Sequence, residues 1–313
     1  MASPSVLLIG ASGWLGVHVS NEFLHNRSSF TRLAILTTES KRHKFTDMET
    51  KGFELIIGSY TDASSFKGFD TVISLLGNHV MAAQPAIIDA AIAAGVTEFY
   101  PSEYGGDCHQ GAYLTNPYFR EKQRTVAHLR AAVQKTPGFN YTLVITGAFV
   151  EFALMPLFGV DTEKHTFVLY GSSEKRAEWV AAADAARYIL QSTLLPKAAG
   201  RERVFRVPEG VYAWKEVVAT LEKVQGVKYA CTYYSQQDAV ERAEACRERG
   251  DVDGELAFLL KKSLGEPGTV GVPKPWDNGV FNFEPERFED SVRRILAERG
   301  DVEWTGIQGI QGL

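Results

Sequence analysis

A phenol and an ammonium stand four residues apart in Tyr118-Phe119-Arg120-Glu121-Lys122. Asn116 is a good N-cap and Pro117 suits the first helical position, so the pattern predicts a helix over 116–134. Tyr118 and Lys122 then lie one turn apart on one face. An ammonium beside a phenol favours the phenolate, which is how a tyrosine becomes a usable acid near neutral pH. Ser102, in Tyr100-Pro101-Ser102-Glu103-Tyr104-Gly105, follows a strand-like pair, where its hydroxyl could bond a substrate carbonyl. A Y-x-x-x-K spacing also arises by chance on charged surface helices. Its place after a fifth strand, with Ser102 upstream, is what gives it weight.

A second stretch, Gly10-Ala11-Ser12-Gly13-Trp14-Leu15-Gly16, follows the apolar run Val6 to Ile9 and opens a helix near Trp14. That is the context a dinucleotide-binding turn requires. Gly10 allows the sharp turn, Gly13 lets the backbone approach a pyrophosphate, and Gly16 lets the helix pack close to the sheet. The N–H groups at the helix start face the phosphates. The third stretch, Thr37 to Lys44, ends strand two. An acid there would accept from a ribose 2′-hydroxyl, whereas hydroxyls and cations suit a 2′-phosphate. Thr38, Lys41 and Arg42 outweigh Glu39, so NADP is expected as cofactor in preference to NAD. Ligands bind outside the carboxyl ends of parallel strands. This adds Gly58 and Ser59, Gly77 and Asn78, and Phe149 as expected cofactor contacts. His79 reads as a loop residue and Glu103 as a loop anchor. The seven histidines show no metal-ligand spacing, so no metal is expected.

These residues need a scaffold. Apolar runs at Val6 to Ile9, Leu33 to Leu36, Phe53 to Ile57, Thr71 to Leu76, Phe99-Tyr100 and Tyr141 to Ile145 alternate with helical patterns at Trp14 to Leu24, Pro85 to Ala94 and 116–134. Such alternation predicts an α/β fold, a Rossmann-type doubly wound parallel sheet. Beyond Phe152 the rhythm breaks. Strand-like pieces at Phe167 to Tyr170, Val204 to Val207 and Ala230 to Tyr234 mix with charged helices at Gln236 to Arg249 and Glu255 to Leu264. We read residues 1–155 as the NAD(P)-binding domain and 156–313 as a smaller, partly interwoven α/β substrate region. About 176–205 is expected to pack back on the first domain. Phe149, Phe152, Met155, Phe158, Trp276 and Phe281 are candidates to close the pocket. Asp184 reads as the N-cap of a helix over 185–194, and the GIQGIQGL tail as a loose terminus.

The composition sets the class. The chain has 313 residues, 45% hydrophobic and 23% charged, which excludes a disordered or fibrous protein. Lys and Arg number 33 against 38 Asp and Glu, a net charge of −5. That balance gives no electrostatic reason to expect nucleic acid or an anionic membrane as partner. Cys108, Cys231 and Cys246 are too few and scattered for a disulfide framework, and no apolar stretch reaches membrane-spanning length. The expectation is a cytoplasmic protein with a small-molecule substrate, with a homodimer left open.

The turn at Gly10 to Gly16, the stretch Ile57-Gly58-Ser59-Tyr60-Thr61-Asp62, the stretch Phe99-Tyr100-Pro101-Ser102-Glu103-Tyr104-Gly105 and then Phe119-Arg120-Glu121-Lys122 come in a telling order. Over about residues 5 to 155 the chain resembles the NmrA-like, isoflavone reductase-like family of atypical short-chain dehydrogenases/reductases. The resemblance implies bound NADPH and reduction of small, often aromatic or polyketide-like, metabolites in secondary metabolism. It also implies Lys122 as the usual catalytic residue. Two positions depart from the family. Thr38 stands where the plant reductases carry an arginine. Tyr118 stands where they usually lack a tyrosine, and there the chain looks like the extended short-chain dehydrogenases. The leading expectation is an NADPH-dependent oxidoreductase acting on a carbonyl, enol or activated double bond. Two other classes share the scaffold: an NAD(P)-binding redox-sensing regulator without turnover, and an isomerase or lyase.

Overall fold

The computed structural model describes residues 3–196, 202–268 and 270–298. The GIQGIQGL tail lies outside them. In chain order the elements are β1 (Ser5–Ile9), α1 (Trp14–His25), β2 (Arg32–Thr37), α2 (Thr46–Thr50), β3 (Glu54–Ile57), β4 (Thr71–Ser74), α3 (Asn78–Met81), α4 (Gln84–Ala93), β5 (Glu98–Tyr100), α5 (Arg120–Lys135) and β6 (Asn140–Ile145). There follow β7 (Ala148–Phe149), α6 (Val150–Ala153), β8 (Val160–Asp161), β9 (Thr166–Tyr170), β10 (Arg176–Val180), α7 (Ala182–Leu194), β11 (Glu202–Arg206) and β12 (Gly210–Ala213). The last are α8 (Trp214–Gln225), β13 (Ala230–Tyr234), α9 (Gln236–Glu248), α10 (Val252–Gly265) and α11 (Phe288–Glu298).

Two compact units share the chain. The first holds residues up to Tyr104, Glu121–Val144 and Ala185–Phe205. The second holds Gly105–Arg120, Ile145–Asp184 and the described chain from Arg206 onward. Neither is one continuous stretch.

The first unit is built on a seven-stranded sheet in the order β11-β6-β5-β4-β1-β2-β3. Every pairing from β6 to β3 is parallel. Val6, Leu7, Leu8 and Ile9 are fully buried, as are Ala34, Ile35, Val72 and Ile73. Apolar runs without alternation are what strands covered by helices on both faces require. From β1 the chain steps outward to β2 and β3, then returns to place β4 on the other side of β1. That reversal is the topological switch point of a doubly wound, Rossmann-type fold.

The second unit carries two three-stranded sheets, β12-β10-β7 and β13-β9-β8. Its core is aromatic. Trp179 and Trp214 meet edge to face at 5.2 Å, Phe167 stacks on Trp214 at 5.5 Å, and Phe288 lies 5.8 Å from Trp179. The sequence rhythm missed β7 and β8, which are two residues long, and β10 (RAEWV) and β12 (GVYA), whose mixed polar, small and apolar residues show no apolar run.

Two local expectations are corrected. Asp184 does not cap α7: the helix begins at Ala182, whose N–H is instead accepted by both carboxylate oxygens of Glu151 at 3.1 Å. The helix over 116–134 is in fact two elements. Pro117–Phe119 forms a 3₁₀ turn, and the α-helix starts only at Arg120. The side chain of Asn116 accepts from the Tyr118 N–H at 2.9 Å and its carbonyl accepts from Phe119 N–H, which closes the tighter turn. Tyr118 therefore stands on the turn before α5, and Lys122 in the first turn of α5 itself.

Candidate active site

The glycine turn sits at the switch point. Gly10 has φ +81°, and a Cβ there would fall 2.7 Å from the carbonyl carbon and oxygen of Leu75, just past β4. Only glycine meets both demands. Gly13 donates its N–H to the Gly10 carbonyl at 3.0 Å and forms the N-cap of α1. A Cβ on Gly16 would lie 2.4 Å from the Gly10 carbonyl oxygen and 2.7 Å from the carbonyl of Ala11. Gly16 thus lets the helix close on the turn's own backbone, a tighter contact than the expected one with the sheet. The first turn of α1 begins at Trp14, directly after the Gly13 cap, and the amides of a helix's first turn point out along its axis. With no acidic side chain in that turn, the helix start suits an anion.

Neighbouring strand ends line up on the same edge because the strands are parallel. Gly58 N–H donates to the Thr37 carbonyl at 3.0 Å and Leu75 N–H to Ile9 at 2.8 Å, so β3 is tied to β2 and β4 to β1 at their ends. Past β2, Thr38 and Ser40 pair their hydroxyls at 3.0 Å. Lys41 and Arg42 are exposed beside them, and Arg42 reaches Glu49 at 3.7 Å. Past β3, Ser59 closes a turn by accepting from Thr61 N–H at 3.3 Å. Past β4, Gly77 and Asn78 are exposed, and nothing lies within 4 Å of a Cβ built on Gly77. The edge therefore offers an open cradle with cations at one end, and its residues fit a dinucleotide phosphate.

Ser102 follows β5 and is buried. Its hydroxyl donates to the Leu76 carbonyl at 2.8 Å, and its N–H donates to Gln84 Oε1 at 3.0 Å. The sequence reading gave this hydroxyl to a substrate oxygen; here its one proton goes to the Leu76 carbonyl. Gln84 Nε2 in turn donates to Thr125 Oγ1 at 3.4 Å, and that hydroxyl donates to the Glu121 carbonyl at 2.8 Å. Lys122 is the next residue, half-buried in the first turn of α5. Sequence reasoning passed over Gln84 and Thr125. Both look like ordinary helix residues, and only their complete burial marks them.

In the second unit, Tyr118 is half-buried and packs edge to face on Phe119 at 4.9 Å. Its turn is held by Asn116, whose Nδ2 donates to Ser263 Oγ at 2.5 Å and to the Leu259 carbonyl at 3.0 Å, both on α10. Phe149 is buried against Phe152, which stacks on Phe158 at 5.0 Å. Trp276 donates its indole N–H to the Val272 carbonyl at 3.1 Å, and Phe281 is buried. Among the described residues no helix is long and apolar enough to cross a membrane.

The sequence profile of the NmrA-like family matches residues 3–247. The chain belongs to the NmrA-like family. Among curated proteins, this NmrA-like chain is 28% identical over 241 residues to "Oxidoreductase aprR" of Aspergillus flavus, covering 74% of this chain and 78% of the relative. It is 26% identical over 250 residues to "Isoflavone reductase homolog A622" of Nicotiana glauca, covering 75% and 79%. Among solved structures, the complex of leucoanthocyanidin reductase with NADPH from Vitis vinifera superposes with a TM-score of 0.72. That likeness, at 19% identity over 93% of this chain and 99% of the other, shows the shared fold. The relatives named are oxidoreductases and reductases.

Proposed function

We propose that this NmrA-like protein is an NADPH-dependent reductase of a carbonyl, enol or activated double bond in a small aromatic or polyketide-like metabolite. The observation that carries the reading is the glycine turn, packed backbone to backbone at the switch point with Gly10 and Gly16 in positions that admit no side chain. The reductase names of the relatives and the NADPH held by the structural neighbour support it. In this reading Gly10 to Gly16 and the α1 amides hold the pyrophosphate. Thr38, Lys41 and Arg42 meet the 2′-phosphate, and Gly58, Ser59, Gly77, Asn78 and Phe149 border the rest. The bound nicotinamide supplies a hydride. Lys122 holds the nicotinamide ribose and either delivers the proton or supports Tyr118 in delivering it. Ser102 pins the ends of β4 and β5 and acts as a positioning residue.

The test compares Tyr118→Phe and Lys122→Ala for NADPH affinity by calorimetry and for turnover on a panel of aromatic ketones and enones. If Tyr118 is the acid, Tyr118→Phe loses roughly 10²–10⁴-fold in turnover with nucleotide affinity unchanged. If Lys122 acts alone, Tyr118→Phe is mild and Lys122→Ala loses both. A protein that binds NADPH and turns over nothing on the panel is better read as the non-catalytic sensor. Wild-type NADPH affinity in Lys122→Ala would overturn the role given to that lysine.

A further inference from the structure

We propose that Gln84 is a positioning residue for Lys122, acting through Thr125 and touching neither cofactor nor substrate. The inference rests on the role given to Lys122 above. Gln84 opens α4 with no exposed surface, and Thr125 is equally buried. The direction of each hydrogen bond is fixed by chemistry. The Ser102 N–H can only donate, so the Gln84 atom facing it at 3.0 Å is the oxygen and the amine faces Thr125. The Thr125 hydroxyl has one proton. It spends that proton on the Glu121 carbonyl at 2.8 Å, so towards Gln84 it accepts. Ser102 completes the run by donating its hydroxyl to Leu76.

The final acceptor is the telling one. The Glu121 carbonyl and the Lys122 N–H belong to one planar peptide unit. Orienting that carbonyl sets the plane from which the Lys122 side chain departs. Neither Gln84 nor Thr125 is exposed to bulk water. A single buried amide thus fixes the first turn of α5 to the Ser102 turn, the two places in this unit where the sequence puts reactive groups.

The experiment reads Lys122 directly. Wild type, Gln84→Leu, Thr125→Val and Thr125→Ser are acylated with trace acetic anhydride from neutral to alkaline pH. Peptide mass spectrometry then gives the rate at Lys122 relative to Lys135, which lies at the far end of the same helix. Thr125→Val keeps the side-chain shape and breaks the link; Thr125→Ser keeps the hydroxyl. Expected are a several-fold change at Lys122 in Gln84→Leu and Thr125→Val, none at Lys135, and a wild-type profile in Thr125→Ser. NADPH affinity should fall about tenfold in Thr125→Val, the scale of one charge-assisted hydrogen bond. A folded Thr125→Val with the wild-type Lys122 profile overturns the proposal. Should Gln84→Leu fail to fold, the two Thr125 variants decide. Failure of the Lys122 role itself shows elsewhere, as unchanged NADPH affinity in Lys122→Ala, and leaves the acylation comparison standing.

Discussion

Gly13 and Gly16 look interchangeable in the sequence, and the structure separates them. A methyl on Gly16 meets backbone at 2.4–2.7 Å, with no flexible group to move aside. Gly16→Ala should therefore cost about 1–3 kcal/mol, the usual range for overpacking, read as a lowered denaturation midpoint. A Cβ on Gly13 meets the Gly10 carbonyl oxygen at 3.2 Å and the Leu75 carbonyl oxygen at an ordinary 3.7 Å, and Gly13 has an ordinary extended conformation. Gly13→Val should keep most of the stability while branched methyls stand where a pyrophosphate would approach, so calorimetry should find NADPH affinity lost. Unchanged affinity in a folded Gly13→Val would sink the phosphate-turn reading. Paired with this, Lys41→Ala with Arg42→Ala should weaken NADPH more than NADH, and equal losses would remove the 2′-phosphate assignment. The glycines were legible because their requirement is local: one turn and the helix after it. The proton of Ser102 was not, because its acceptor, Leu76, lies 26 residues earlier and is brought there only by the pairing of β4 with β5.

Strands and helices were legible where a run was long enough to show its period. Ala230 to Tyr234 was placed to the residue, and α1 to within one. What failed was the join between elements. Pro117 and Asn116 announce a helix start equally well for a 3₁₀ turn as for an α-helix, and the choice was made by the Asn116 side chain bonding to α10, 143 and 147 residues further on. Another tie of this kind holds β11. Arg203 donates to Thr142 Oγ1 at 3.0 Å, to the Tyr100 hydroxyl at 2.8 Å, to the Ser192 carbonyl at 3.1 Å and to Glu98 at 3.4 Å, so one guanidinium spans β11, β6, β5 and α7. Glu98 is 3% exposed, and among the described residues Arg203 is the cation that pairs with it. Arg203→Met fills similar volume but strands that carboxylate, and should destabilise by about 3–5 kcal/mol. Adding Glu98→Gln removes the stranded charge and should recover a large part of the loss. Additive losses in the double variant would show that the pair is not the unit of stabilisation.

The buried carboxyl of Glu151 should tie the stability of the whole molecule to pH. Glu151 is 3% exposed, and burial pushes it up from its ordinary 4.5 to about 7, against the backbone N–H groups it accepts and the Arg294 guanidinium 4.0 Å away. Its surroundings are otherwise acidic: Glu286 is bonded to Arg294 at 2.7 Å, and Asp184 accepts from the Glu286 N–H at 2.6 Å. A carboxyl whose pKa is higher when folded holds its proton more tightly in the native state. Stability therefore falls as pH rises from about 4.5 to about 7 and stays at the lower level above that. The amount is roughly 3 kcal/mol. Glu286 works in the opposite sense. Burial alone would raise it, but hydrogen bonds from Arg294 and Ser291 prevail and hold it below its ordinary value, so its contribution is lost on acidification. The two slopes therefore oppose each other: Glu151 favours the acid side, and Glu286 opposes acidification below its ordinary range. Glu151→Gln keeps an oxygen for the Ala182 N–H and cannot ionise. Its denaturation midpoint should fall less than wild type's from pH 5 to 8, matching wild type at the acid end and exceeding it at the alkaline end by about the 3 kcal/mol that Glu151 costs wild type. Parallel curves for the two proteins would mean that the slope arises elsewhere in the chain.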